Sequence, residues 1–186
     1  MIAAETPSQG AHPVSALSDA QLFDIDGAAV RVASLYAQGP AVLVFVRHFG
    51  CLFCKQQVEQ LAARREDFTA RGVLPIVVGH GPAEQARAFS ERYAHGLRVL
   101  TDPTREVFRA AGMQRGVATT LTLGVVGRGL RAIAQGHFQT SVLGDPLQQG
   151  GVIVLGQDGR ELYRFVSKEA GDHPPLDDVL AALPPR

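Results

Sequence analysis

Residues 41–54 read AVLVFVRHFGCLFC. Ala41 to Val46 is an unbroken apolar run of strand length, the pattern of a strand covered on both faces. Gly50 breaks the run, and Cys51 follows. Beyond it Cys54, Val58, Leu61, Ala62 and Phe68 recur at helical spacing, with Gly72 placed to cap the C-terminus. A cysteine pair between a buried strand and a helix N-terminus points to thiol chemistry. The unpaired N–H groups of a helix's first turn favour a thiolate, whereas an ordinary thiol, with a pKa of roughly 8.5, is mostly protonated at neutral pH. Two intervening residues let a disulfide close across a helical turn, so Cys51 and Cys54 are the candidate catalytic residues. Arg47 and His48 are supporting candidates that add positive charge or orient a substrate. Their alternative is a strand end facing solvent.

Two plainer readings compete for the cysteines. One is half a zinc site, but structural zinc takes four N or S ligands. The chain has two cysteines, and its six histidines (His12, His48, His80, His95, His137, His173) show no ligand-like spacing. No metal is expected. The other is a pair of inert core thiols, which the strand–CxxC–helix placement disfavours.

Working outward, Leu22 to Ile25 and Ala29 to Val32 flank Asp26-Gly27, a hairpin signal, and a short helix is expected from Ala33 to Gln38. After the cysteine helix, Val73 to Val78 reads as a strand. Pro75 has no N–H to give a ladder and belongs at its start. Gly81-Pro82 opens a helix with Ala86, Phe89 and Tyr93 on one face. Leu97 to Leu100 is a third strand, and Asp102-Pro103 starts a helix reaching Ala111. Gly151 to Leu155 and Glu161 to Val166 flank Gln157-Asp158-Gly159, a second hairpin, and a last helix runs from Leu176 to Leu183.

Residues 113–149 fit this alternation less well and read as a helical insertion before the C-terminal hairpin. From Val107 to Gly144 there is no Asp or Glu, while Arg109, Arg115, Arg128 and Arg131 are present. These arginines suit an anionic substrate such as a fatty-acid hydroperoxide, or else a solvated basic face or an oligomer contact. Asp145 and Gln149 are substrate-binding candidates if the hairpin strand lies beside residues 41–46, with turn chemistry as the alternative. Asp172-His173 resembles an acid–base pair but more simply precedes the last helix, with Asp172 near its cap.

The 186 residues suit one domain, 18–186, behind a flexible N-terminal arm, 1–17. Hydrophobic residues make up 46% and charged ones 19%, an ordinary globular balance. Eighteen basic and eighteen acidic residues cancel, which argues against a nucleic-acid or acidic-lipid binder. The same balance leaves little repulsion against a homodimer. No apolar run approaches the length of a membrane span, and the first residues do not read as a secretory signal. A cytoplasmic location is the expectation, and there a close cysteine pair is catalytic more often than structural.

Three segments together carry a family resemblance. Val44 to Cys54 (VFVRHFGCLFC), Thr101 to Gly112 (TDPTREVFRAAG) and Gly144 to Gly156 (GDPLQQGGVIVLG), the last joined by Ala170 to Pro174 (AGDHP), resemble the peroxiredoxin-like, AhpC/TSA-related branch of the thioredoxin superfamily that includes prostamide/prostaglandin F synthase. The resemblance implies an α/β, thioredoxin-like fold: an N-terminal hairpin, then a central mixed sheet flanked by helices. It implies a thiol oxidoreductase that reduces a peroxide or disulfide through Cys51 and Cys54. A thioredoxin- or glutathione-type reductant would restore the dithiol, and no bound cofactor is needed. A lipid endoperoxide reductase and a non-catalytic redox sensor are the alternatives.

The departures from that pattern are specific. Peroxiredoxins carry Pro, three residues, Thr, two residues and the attacking Cys. With Cys54 in that place Arg47 and Cys51 stand for the Pro and Thr; with Cys51, Val44 and His48 do. Thioredoxin logic makes Cys51 the attacker in disulfide chemistry, and for peroxide chemistry either cysteine remains open. The arginine that peroxiredoxins supply from a later strand is missing. Gly150-Gly151 occupies the region of thioredoxin's cis-proline, where a missing side chain is expected to leave room for a substrate.

Overall fold

The structure, a computed structural model, describes residues 14–115, 145 and 147–185. The 41–46 run forms β3 (Ala41–Phe45), and every residue of it is buried. It pairs in parallel with β4 (Ile76–Gly79) and antiparallel with β6 (Gly151–Leu155). With neighbours on both edges and side chains packed on both faces, no position of this strand is left for a polar residue. β4 pairs in parallel with β5 (Arg98–Thr101). The N-terminal hairpin, β1 (Gln21–Phe23) and β2 (Ala29–Arg31), joins at β5 through Phe23 and Thr101. β6 pairs antiparallel with β7 (Glu161–Val166). The result is one mixed seven-stranded sheet in the order β2-β1-β5-β4-β3-β6-β7.

Strand alternation sorts the core into two layers. Val42, Val44 and Val46 face a layer with Val58, Leu61, Phe89 and Leu180. These come from α2 (Leu52–Ala63), α4 (Ala83–Phe89) and α6 (Leu176–Ala181). Leu43 and Phe45 face the other layer with Leu17, Leu22, Val107 and Phe108. There α1 (Val14–Asp19) and α5 (Glu106–Ala110) cover the sheet. The Phe45 and Phe108 rings meet edge to face at 5.1 Å. Each such apolar side chain contributes about 1.5–3 kcal/mol by leaving water. This is the α/β, thioredoxin-like arrangement the resemblance implies.

Several element ends differ from the sequence reading. α1 begins at Val14, within the stretch read as an arm, and Leu17 is buried. The expected helix from Ala33 to Gln38 is a 3-10 turn over Val32–Leu35. The cysteine helix breaks at Arg64 (φ −102°, ψ 16°), and α3 (Arg65–Thr69) follows. Arg64 ion-pairs with Asp67 and with Asp177 at 2.7 Å. Gly72 (φ 77°) then closes the turn, its N–H donating to the Thr69 carbonyl. Pro75 stands just ahead of β4, outside the ladder, where its missing N–H costs no bond. α4 passes directly into a π-helical turn over Ser90–Ala94, which ends at His95 in the left-handed region. α5 starts at Glu106, later than expected, because Arg105 adopts φ 59° and the buried Asp102 carboxylate accepts the N–H groups of Glu106 and Phe108. Of the expected insertion, residues 116–144 lie outside the described residues. Its two ends meet: Arg115 and Gln148 form a β-bridge beside the sheet.

Candidate active site

β3 delivers the chain to the C-terminal edge of the parallel strands, and residues 46–50 turn it into α2. The turn is held by backbone bonds. The Val46 N–H donates to the Val78 carbonyl at 2.8 Å, and the Cys51 N–H donates to the His48 carbonyl at 3.1 Å. Cys51 is the last residue before the helix, still extended at φ −68° and ψ 121°, and its carbonyl accepts the first helical bond from Lys55. Cys54 therefore lies in the first turn. Phe49 closes the turn from above by laying its ring over Gly79, where any Cβ would enter the ring.

Both cysteines are thiols buried in the α2-side layer, Cys51 with 6% of its surface exposed and Cys54 with 1%. Their environments push them apart. The Cys51 pKa is lowered to about 7, chiefly because the Cys54 thiol donates to its sulfur; the Cys54 and Phe53 amides and the Arg47 charge add to this and outweigh burial. Cys54 moves the other way: burial, then its bond and proximity to Cys51, raise its pKa well above the ordinary value. One thiol is about half ionised at pH 7, and the other stays protonated beside it. That is an attacking thiolate with a proton-bearing partner.

The two supporting candidates are drawn inside. Arg47 and His48 are 4% and 3% exposed, so neither is a strand end facing solvent. Arg47 Nε donates to the Gln148 carbonyl at 3.0 Å, which fixes the guanidinium at the sheet edge. Replacing Arg47 with Ala is expected to move the pH midpoint of Cys51 alkylation upward and to slow alkylation at pH 7 roughly 3- to 10-fold. Arg47→Lys, which keeps the charge, should recover most of the rate. Iodoacetamide kinetics across pH 5–10 check this, and an unchanged midpoint in Arg47→Ala would remove the arginine from the site.

β6 does lie beside β3, as the candidacy of Asp145 and Gln149 required. The bonds these two residues make are to other groups. Asp145 pairs with Arg105 at 2.7 Å and with Arg115. Gln149 accepts the Gln114 N–H at 2.9 Å and donates to the Ser167 carbonyl at 3.3 Å. Asp172 accepts the Lys168 N–H at 2.8 Å and so closes the turn after β7, three residues short of the cap of α6.

The expected space at Gly150-Gly151 is absent. A Cβ on Gly150 would sit 2.5 Å from the Phe45 carbonyl oxygen and 3.4 Å from Arg47 Cγ, and one on Gly151 would strike the Phe165 carbonyl. These glycines admit the neighbouring strands' backbone, and among the described residues no peptide bond is cis. Gly150→Ala should therefore destabilise the fold by about 1–3 kcal/mol, read as a lower urea midpoint at unchanged slope. A neutral result would contradict the close approach.

Three site residues escaped the sequence reading. Gln148 holds Arg47 through its carbonyl, while its side-chain amide donates to the carbonyls of Met113 and Gln149 at 3.2 and 3.3 Å. His80 is buried with its ring edge-on to Phe108 at 5.8 Å, and burial followed by the Arg105 charge lowers its pKa. Lys55 is 2% exposed, its ammonium 5.0 Å from the centre of the Tyr93 ring that the π-helical turn carries. An aliphatic stem and a cation on an aromatic face make that burial tolerable. Among the described residues no three His, Cys, Asp or Glu side chains cluster as metal ligands, and no helix is long and apolar enough to cross a membrane.

Comparison with known proteins adds four findings. Residues 60–169 match the family described as AhpC/TSA antioxidant enzyme, a stretch that begins after both cysteines. The chain is 30% identical over 186 residues to human peroxiredoxin-like 2C, covering 94% of this chain and 81% of that one. It is 31% identical over 169 residues to prostamide/prostaglandin F synthase of Salmo salar, covering 87% and 83%. The crystal structure of peroxidoxin BcpB from Mycobacterium tuberculosis superposes with a TM-score of 0.65 at 20% identity, covering 88% of this chain and 90% of that one, and so shares the fold.

Proposed function

We propose that this chain, which belongs to the AhpC/TSA antioxidant-enzyme family, reduces a peroxide or disulfide with Cys51 as the attacking thiolate and Cys54 as the resolving thiol. The family supports an oxidoreductase. The observation that carries the finer reading is the opposed pair of thiols at the start of α2, one lowered to about 7 and the other raised. With a peroxide, the Cys51 thiolate attacks one oxygen, the O–O bond breaks, and the leaving oxygen departs as an alcohol or water after taking a proton. Cys51 is left as the sulfenic acid. The Cys54 sulfur then attacks it, water leaves, and a Cys51–Cys54 disulfide forms. A thioredoxin- or glutathione-type thiol returns two electrons and restores the dithiol. Arg47, buried and fixed by Gln148, favours the thiolate and the negative charge that develops on the leaving oxygen. A reducing compartment such as the cytoplasm fits a pair that rests as dithiol.

A coupled assay with thioredoxin, thioredoxin reductase and NADPH tests this. Hydrogen peroxide or a small aromatic disulfide should support NADPH oxidation for many equivalents. A single stoichiometric oxidation followed by arrest would overturn the enzyme reading and leave a redox sensor. A second reading, reduction of a lipid endoperoxide, rests on the 31% identity to prostamide/prostaglandin F synthase. It expects kcat/KM for a lipid endoperoxide to exceed that for hydrogen peroxide in the same assay.

A further inference from the structure

A cavity of about 390 Å³ lies beside α5, with Arg105, Arg109, Arg115, Met113 and Gln148 in its wall. Its size is at the lower end of small-molecule sites. Three guanidinium groups converge there against two carboxylates. Asp145 lies between Arg105 and Arg115 and contributes one oxygen, Oδ2, to both, while Oδ1 accepts the Leu147 N–H. Glu106 lies 4.0 Å from Arg109. Burial works against the Asp145 charge, but the Leu147 amide and the two guanidinium groups outweigh it and hold the carboxyl below its ordinary range. The carboxylate is therefore ionised and its bonds are committed.

The guanidinium groups are not. Arg105 engages Asp145 through Nη1 alone and Arg115 through Nε alone. Arg109 gives Nη1 to the Thr104 carbonyl. A guanidinium carries five N–H donors in a planar fork, so two donor edges, those of Arg105 and Arg115, have no acceptor among the described residues. Paired N–H groups on such an edge match the two oxygens of a carboxylate. Met113 borders the cavity at 1% exposure, with its methyl end packed toward Gly151 of β6, and so reports on the cavity wall.

We infer that this cavity binds an organic carboxylate, its anionic end on the Arg105 and Arg115 edges with Arg109 adding charge. The inference is independent of the thiol chemistry. The cavity's failure to bind would leave the cysteine mechanism untouched, and the reverse also holds. Gln148 belongs to both places, since its side chain lines this cavity while its carbonyl anchors Arg47.

Methionine supplies a site-specific readout. The chain has only Met1 and Met113, so the full-length protein labelled with 13C at the methionine methyls gives two signals, and Met1 serves as the internal reference. Octanoate and inorganic phosphate are titrated separately at low salt. Octanoate should shift the Met113 signal saturably and leave Met1 in place. Its affinity should fall roughly tenfold in Arg115→Ala and recover partly in Arg115→Lys, and it should weaken with added salt. Thiol turnover with hydrogen peroxide should be unchanged in both variants. A Met113 signal that does not respond to octanoate overturns the site. So does an equal affinity in Arg115→Ala, and so does saturation by phosphate with none by octanoate, which would mark a simple anion site.

Discussion

Cys51→Ser should lose thiol-dependent turnover by on the order of a thousandfold or more, with the fold intact. The expectation follows from what the position supplies. Cys51 stands at the head of α2, where the Cys54 thiol, two first-turn amides and the Arg47 charge all favour a negative sulfur. A serine hydroxyl in that place keeps the shape but stays protonated at any pH the protein tolerates, so the nucleophile is gone. The loss should be the same for a peroxide and a small disulfide, because both need the same first attack. Steady-state assay in the coupled thioredoxin system reads it. A residual rate within tenfold of the parent would move the attack to Cys54.

Cys54→Ser should separate the two half-reactions. The buried thiol it removes is the donor to the Cys51 sulfur, and its raised pKa keeps it protonated until the first attack has occurred. The first oxidation should therefore persist at a rate near the parent's, because the serine hydroxyl still offers a donor to the Cys51 sulfur. Catalysis should then stop after one equivalent, with Cys51 trapped as sulfenic acid or mixed disulfide. Mass spectrometry after a single addition of hydrogen peroxide shows one added oxygen in the variant against loss of two hydrogens in the parent. Sustained turnover of Cys54→Ser with thioredoxin would mean that the reductant resolves Cys51 directly and that the second cysteine is dispensable.

The parts of this molecule that could be read from its residues are those whose signal is local. The apolar run before Cys51 is buried on both faces because two strands and two helical layers surround it. Asp26-Gly27 and Asp158-Gly159 both turn hairpins as expected, with Gly27 and Gly159 at positive φ. The break at Arg64 and the π-helical turn at Ser90–Ala94 gave no such signal, since apolar spacing continues through both.

At the site, the cysteine pair was legible from its spacing and its place between strand and helix. The grip on Arg47 was not, because its acceptor is the backbone carbonyl of Gln148, 101 residues away, and a backbone group leaves no mark in a sequence. Gly150 and Gly151 misled for a related reason. A missing side chain reads as space, but here the Phe45 and Phe165 carbonyls fill it. The burial of Lys55 and His80 also depends on partners from distant elements, Tyr93 for one and Phe108 for the other.

The most direct test of the central claim, that Cys51 is the ionised attacker and Cys54 its protonated partner, is site-resolved alkylation of the reduced protein across pH 5–10. Brief iodoacetamide pulses are quantified by mass spectrometry at each cysteine. The account predicts labelling at Cys51 first, rising with pH to half its maximum near pH 7 as the thiolate forms, with Cys54 unlabelled throughout that range. Preferential labelling of Cys54, or a Cys51 midpoint at the roughly 8.5 of an ordinary thiol, would contradict it.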